Sequence, residues 1–262
     1  MHNDNVEIIA IGTELVSGLI LDTNSHWLAS EISVAGGDVQ RITALPDDAQ
    51  SIVTELRAAV DRQARVIITT GGLGPTPDDL TVEAVSRLAR TDTHTPAEVL
   101  ADYAHRRGIT LDEASTPPRA KMGCVPETSV VHLNPVGWAP CFTVRVGNST
   151  IWCMPGPPRE VEGCYSVHIK PELEQLFAGQ AVRMRVLIDA HESETSPLME
   201  AVMQQLPAAY LKAYVGLSDD QGLPVDIVVR SKGEIDPKKL LADAYGAFCT
   251  VAATAGKTVT PT

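Results

Sequence analysis

Aromatic residues are scarce in this chain: Phe, Trp and Tyr make up 4% of its 262 residues, against a hydrophobic content of 44%. The core must therefore be packed by Ala, Val, Leu and Ile, as in an ordinary soluble α/β protein. Five cysteines, Cys124, Cys141, Cys153, Cys164 and Cys249, form no CxxC pair and no zinc-ligand spacing. Their odd number and scatter fit reduced thiols filling small core positions, not a disulfide framework. The histidines show no HxH or HExxH pattern, and none pairs in sequence with a cysteine to make a nucleophile. Basic residues are outnumbered: 21 Lys and Arg against 33 Asp and Glu leave a net charge of −12. That balance argues against a nucleic-acid binder and against an acidic-membrane binder. No apolar run approaches the ~18 residues of a membrane helix, and no signal-peptide pattern opens the chain, so a cytoplasmic protein is expected.

What is present concentrates in residues 69–81, Thr-Thr-Gly-Gly-Leu-Gly-Pro-Thr-Pro-Asp-Asp-Leu-Thr. An apolar, β-branched segment at 65–68 precedes this run and reads as a buried strand. The residues after it place Leu80, Ala84, Val85, Leu88 and Ala89 on one helical face. Strand, glycine turn and helix bring backbone N–H groups and a helix N-terminus to a phosphate. Here the turn carries Asp78 and Asp79 and no lysine, so a phosphate would be repelled unless a divalent cation sat between. Asp79 alone is equally a helix N-cap. A cap does not explain two aspartates or the glycines at 71, 72 and 74.

Strands are expected at 6–11, 39–45 and 66–70, alternating with helices at 23–34, 46–60 and 80–89. Asp22 or Thr23 would cap the first helix, and Trp27, Leu28, Ile32 and Ile20 would supply its apolar contacts. This β-α-β-α-β-α order argues a parallel sheet covered by helices. A hairpin pairs 141–146 with 150–154, and the prolines at 155, 157 and 158 open a helix running towards residue 177. Gly179-Gln180 reads as the junction between a domain at 1–178 and a small α+β domain at 179–262. The second domain reads as strands at 182–188, 210–217 and 225–231 with helices at 196–206 and 237–255, ending in a frayed tail at 258–262.

Four separated motifs resemble the CinA family. They are Gly12-Thr13-Glu14-Leu15 followed by Gly18 and Asp22-Thr23-Asn24; the glycine loop through Thr81; Asn134-Pro135-Val136-Gly137 with Ala139-Pro140; and Pro155-Gly156-Pro157-Pro158 with Glu160. The resemblance covers residues 6–176 and implies a three-layer MogA/MoaB-like α/β domain with a mainly parallel sheet, followed by that family's small linker domain. It implies a metal-dependent pyrophosphatase acting on ADP-ribose or a related nucleotide diphosphate. Three departures stand out. Cys141 replaces the family's usual glycine after Ala-Pro, where a positive φ or a close approach would favour glycine. Lys121 of a Lys-Gln-Ala segment is kept, but Met122 and Gly123 replace its neighbours. The family often continues into a nicotinamide-mononucleotide deamidase domain, so that second activity is expected to be absent.

Diphosphate hydrolysis needs a clamp on the phosphoryl oxygens and an activated water. Gly71, Gly72, Gly74 and Thr76 are assigned to phosphate contact, and Asp78 and Asp79 to the metal or the water. Glu14 and Asp22 lie where a parallel sheet brings loops to one rim. Either could be a further ligand or base, or only a solvated turn and a helix cap. Asn134 and the 155–158 turn would shape a nucleoside pocket, and Lys121 would face a phosphate or only solvent. Thr13, Asn24, Gly137 and Glu160 join the expected binding residues through the resemblance alone. A molybdopterin-binding or adenylyl-transfer role and a non-catalytic nucleotide-binding module remain the alternatives. A homodimer is expected, because the 182–188 and 225–231 strands would need cover on an exposed edge.

Overall fold

The computed structural model describes residues 4–177, 179–232 and 236–262. The chain divides into two compact units, the first ending at Gln175 and the second comprising Leu176–Thr262 with Val34–Gly36. The expected junction falls beside Ala178, which lies outside the described residues.

The first unit is built on a sheet of β1 (Asn5–Ile11), β2 (Asp38–Leu45), β3 (Val66–Thr70), β6 (Val130–His132), β7 (Cys141–Val146) and β8 (Ser149–Met154). Their spatial order is β2-β1-β3-β8-β7-β6. β1 runs parallel to β2 and β3, and β3 runs parallel to β8, while the β7–β8 and β6–β7 pairs are antiparallel. A small ribbon pairs β4 (Thr93–His94) with β5 (Val125–Pro126). The helices are α1 (Thr13–Val16), α2 (Thr23–Val34), α3 (Ala49–Asp61), α4 (Thr81–Ala89), α5 (Ala97–Arg107), α6 (Leu111–Ala114), α7 (Pro117–Met122), α8 (Pro158–Cys164) and α9 (Lys170–Leu176).

Two-residue alternation sends Ile9, Ile11 and Ile67 into one core with Ile52 and Leu56 of α3 and Ala84 and Val85 of α4. Ile8, Ala10 and Ile68 alternate with them and are also fully buried, as are Leu28 and Ile32 of α2. A sheet covered on both faces explains why β1 and β3 read as continuous apolar runs. This is the α/β architecture expected for the first domain. Asp48 caps α3 through the Ser51 N–H at 2.7 Å. Ile20, expected to pack under α2, is 58% exposed, whereas Trp27 packs edge-on against Tyr165 at 5.3 Å. Between α8 and α9 the helix continues through a π-helical turn, Tyr165–Ile169.

The second unit holds β9 (Gly179–Ile188), α10 (Glu192–Gln205), β10 (Ala209–Ala213), β11 (Leu223–Lys232), α11 (Pro237–Thr254) and β12 (Val259–Pro261). The sheet order is β10-β11-β9-β12, antiparallel throughout. Two expectations are corrected here. The tail is not frayed: Val259, Thr260 and Pro261 pair with Ile188, Leu187 and Val186. This long-range pairing leaves no local signal. The strands thought to need edge cover, β9 and β11, are interior, so that argument for a dimer lapses. α10 starts before residue 196, with His191 at its N-cap and the Glu194 carboxylate bonding the His191 N–H at 3.0 Å. The 210–217 strand ends at Ala213 and gives way to a 3-10 turn, Val215–Leu217. Among the described residues no helix is long and apolar enough to cross a membrane.

Candidate functional site

Parallel strands deliver their following loops to one rim, where ligands of open α/β sheets bind. Here the loops after β1, β2, β3 and β8 meet around a cleft of about 400 Å³. Of the residues singled out in the sequence, Glu14, Gly71, Gly72, Gly74, Thr76, Asp78, Asp79, Pro155, Gly156, Pro157 and Glu160 line it.

The glycine loop is tightly closed. Gly71 has φ +95°, and a Cβ there would run into the Ile11 carbonyl, so only glycine fits. The Gly71 N–H bonds Met154 O at 3.0 Å. Thr81, fully buried at the start of α4, donates its hydroxyl to Gly71 O at 2.8 Å and its N–H to Gly72 O at 3.1 Å. The Asp79 carboxylate turns back into the loop. It accepts from the Gly74 N–H at 2.7 Å, the Thr76 N–H at 2.8 Å and the Thr76 hydroxyl. Lys121 Nζ, from α7, donates to the Thr76 carbonyl.

These bonds revise the phosphate assignment. The N–H groups of Gly71, Gly74 and Thr76 are engaged within the protein. Those of Gly72 and Leu73 have no hydrogen-bond partner among the described residues, and both residues line the cleft. Lys121 holds the loop and, with Arg87 and Arg90, lines an adjoining cavity of about 790 Å³ that shares Gly72, Leu73, Gly74 and Asp79 with the cleft.

Asp79 does not fit the metal role expected of it. A carboxylate offers about four acceptor positions, and three of them hold loop donors. The polar groups around it, Thr76 foremost, hold Asp78 below the usual carboxylate range. Asp78 and Glu14 are exposed, and the Glu14 carboxylate has no hydrogen-bond partner among the described residues, so these two side chains are open to a cation. Among the described residues no group of three or more His, Cys, Asp or Glu side chains is placed to hold a metal.

On another wall, Glu160 hangs from the 134–137 turn. Asn134, 1% exposed, accepts from the N–H groups of Val136 and Gly137 at 2.9 and 2.7 Å. Its amide donates to Ala139 O at 2.9 Å and to Glu160 Oε2 at 2.7 Å. Gly137 matters for a steric reason: a Cβ there would fall inside the Glu160 carboxyl. Burial pushes the Glu160 carboxyl above its ordinary value, partly offset by its bonds to Asn134 and the Trp138 N–H.

Other expected residues have structural duties. Asp22 caps α2 through the Ser25 N–H at 3.0 Å. Asn24 ties the Pro-Gly-Pro turn by donating to Gly156 O at 2.7 Å. Thr13 gives its N–H and hydroxyl to Asp47 at 2.8 and 2.9 Å. Cys141 is fully buried in β7 and does not line the cleft, whereas Met122 does. Sequence reasoning missed Asp47 and Trp138, both cleft residues. Asp47 follows β2 as Glu14 follows β1, and that shared position was the available signal. In all, Glu14, Asp47, Asp78, Asp79 and Glu160 line the cleft, with no Lys or Arg among its lining residues.

Residues 7–175 match the family described as "Probable molybdopterin binding domain". A protein of Pyrobaculum calidifontis is 34% identical over 227 residues, covering 84% of this chain and 82% of the relative. A CinA-like protein of Citrifermentans bemidjiense is 35% identical over 82% of this chain, which spans 54% of that relative. The crystal structure of CinA from Thermoplasma acidophilum superposes with a TM-score of 0.60 at 29% identity, covering 66% of this chain and 99% of that one. The chain belongs to the molybdopterin-binding domain family and, within it, to the CinA-like proteins.

Proposed function

We propose that the cleft binds a phosphorylated pterin of the molybdopterin kind, to carry it or to transfer an adenylyl group to it. The observation that carries this reading is the meeting of the β1, β3 and β8 loops around the free Gly72 and Leu73 N–H groups. Two adjacent backbone donors at such a rim suit a phosphate, and Met122, Trp138, Ala139, Pro155 and Pro157 give the cleft an apolar portion for a ring. The family's description supports the same ligand class.

A second reading, hydrolysis of ADP-ribose or a related nucleotide diphosphate, is favoured by one observation. Five carboxylates and no basic side chain line the cleft, so a diphosphate there needs a cation beside it. A divalent metal ion would be met by Glu14 and Asp78 and would supply charge neutralisation. Binding and turnover with molybdopterin-type pterin, ADP-ribose, FAD and NAD, each with and without divalent metal, separate the two. Pterin binding without ADP-ribose cleavage supports the first reading. Cleavage abolished by chelator supports the second, and binding of a nucleotide without turnover points to a non-catalytic module.

A further inference from the structure

We propose that Arg106, on α5 and outside the cleft lining, is the positioning residue for Glu160, and that Glu160 meets a ring N–H or amino group of the ligand and not a phosphate oxygen. The second half rests on the reading of the cleft given above; the first stands without it.

Arg106 holds the 134–137 turn at both ends. Nη1 donates to Gly137 O at 2.7 Å and Nη2 donates to Asn134 O. The guanidinium is itself fixed by Asp102, one turn earlier on α5, through Nε to Oδ1 at 3.0 Å. A planar fork that spans two carbonyls while anchored behind is geometry that lysine lacks. Asn134 passes the constraint on, because its side chain is fully engaged and one of its bonds ends on Glu160 Oε2. The absent Cβ of Gly137 lets the carboxyl lie against the turn. A continuous run of hydrogen bonds therefore leads from α5 to a half-buried carboxylate in the cleft wall.

The chemistry at Glu160 follows from its company. With four other acidic residues lining the same cleft and no Lys or Arg, a phosphate oxygen against it is repelled. A heterocyclic N–H or amino group is attracted, and losing its acceptor inside a half-buried wall is costly. Burial sets the upward direction of the Glu160 shift, against the Asn134 amide and the Trp138 N–H, which both favour the carboxylate. Besides those acids and the Asp102–Arg106 pair, Tyr103 on α5 lies within electrostatic reach, its phenol held neutral by burial.

The test is a carbon-13 titration of the Glu160 carboxyl in the ligand-free full chain, comparing the parent with Arg106→Ala, Arg106→Lys and Val99→Ala. Val99 is a fully buried α5 residue that makes none of these bonds and controls for general loosening of the helix. Positioning predicts that both Arg106 variants lower the Glu160 value towards that of a solvated glutamate, about 4.3, while Val99→Ala leaves it in place. A rise on removing Arg106 would mean that the cation acted by charge, and either that or no change overturns the first half. If Arg106→Ala does not fold, Arg106→Lys carries the measurement. For the second half, Glu160→Ala should weaken pterin at least tenfold and leave inorganic phosphate binding unchanged or tighter. Equal loss of both probes overturns it. Absence of any pterin binding overturns it together with the reading of the cleft, while the titration still reports on Arg106.

Discussion

Three carboxylates of the cleft, Glu14, Asp79 and Glu160, lie where the Cβ of a glycine would sit, and two of these pairs do opposite things. At Gly74, Asp79 turns inward and takes three loop donors, which fixes the loop and leaves that carboxylate nearly saturated. At Gly137, Glu160 is held from behind by one Asn134 bond and the Trp138 N–H and stays available to the cleft. Both glycines are needed because a carboxyl lies where a Cβ would sit. The loop uses its acid as an internal scaffold, and the turn uses a buried amide as scaffold to present its acid. An acidic residue beside a glycine in a motif thus does not declare its role. The destination of its oxygens does.

The largest expected effect tests the turn's scaffold. Asn134→Ala leaves a buried N–H group, a half-buried N–H group and a buried carbonyl without partners, at about 3 kcal/mol of stability. Urea unfolding measures it, and a loss below about 1 kcal/mol would mean that water replaces the amide. Next comes the contrast itself. Gly74→Ala displaces a pinned Asp79 and should cost about 2 kcal/mol. Gly137→Ala pushes aside a side chain with a free end and should cost under about 1 kcal/mol. The Gly74→Ala/Asp79→Ala double variant should cost little more than either single change, since both remove the same bonds. Reversed costs for the two glycines would break the comparison.

A smaller effect is in the pH dependence. Glu160 has a raised value in the fold, so the folded state holds its proton longer than the unfolded chain. Its contribution is full below the ordinary glutamate value and is lost as pH rises through the raised folded value. Asp78 is shifted the other way by the polar groups around it, Thr76 foremost, and its contribution is lost as pH falls through its lowered value. Glu160→Gln should therefore flatten stability on the alkaline side of that first window and leave the acid limb unchanged. An unchanged alkaline side would place Glu160 in solvent.

Much of the first unit was legible because its signals are local. The β-branched run at 66–70, the glycines after it and the apolar face of α4 each lie within one window of sequence. Parallel topology then placed the following loops on one rim, and most of the motif residues do line the cleft. Roles within the cleft were less legible. Whether Asp79 faces a metal or its own loop depends on backbone geometry that composition does not encode. Arg106 carries no local signal of its place under the 134–137 turn, since its partners there lie 28 and 31 residues away. The pairing of β12 with β9 was hidden for the same reason.

The central claim is that Gly72 and Leu73 supply the ligand-binding donors of the loop, because Asp79 has taken the others. Backbone amide shifts during titration with a molybdopterin-type pterin test it most directly. Large shifts are expected at the Gly72 and Leu73 amides and small ones at Gly74 and Thr76. Large shifts at Gly74 and Thr76 with Gly72 and Leu73 unmoved would contradict it.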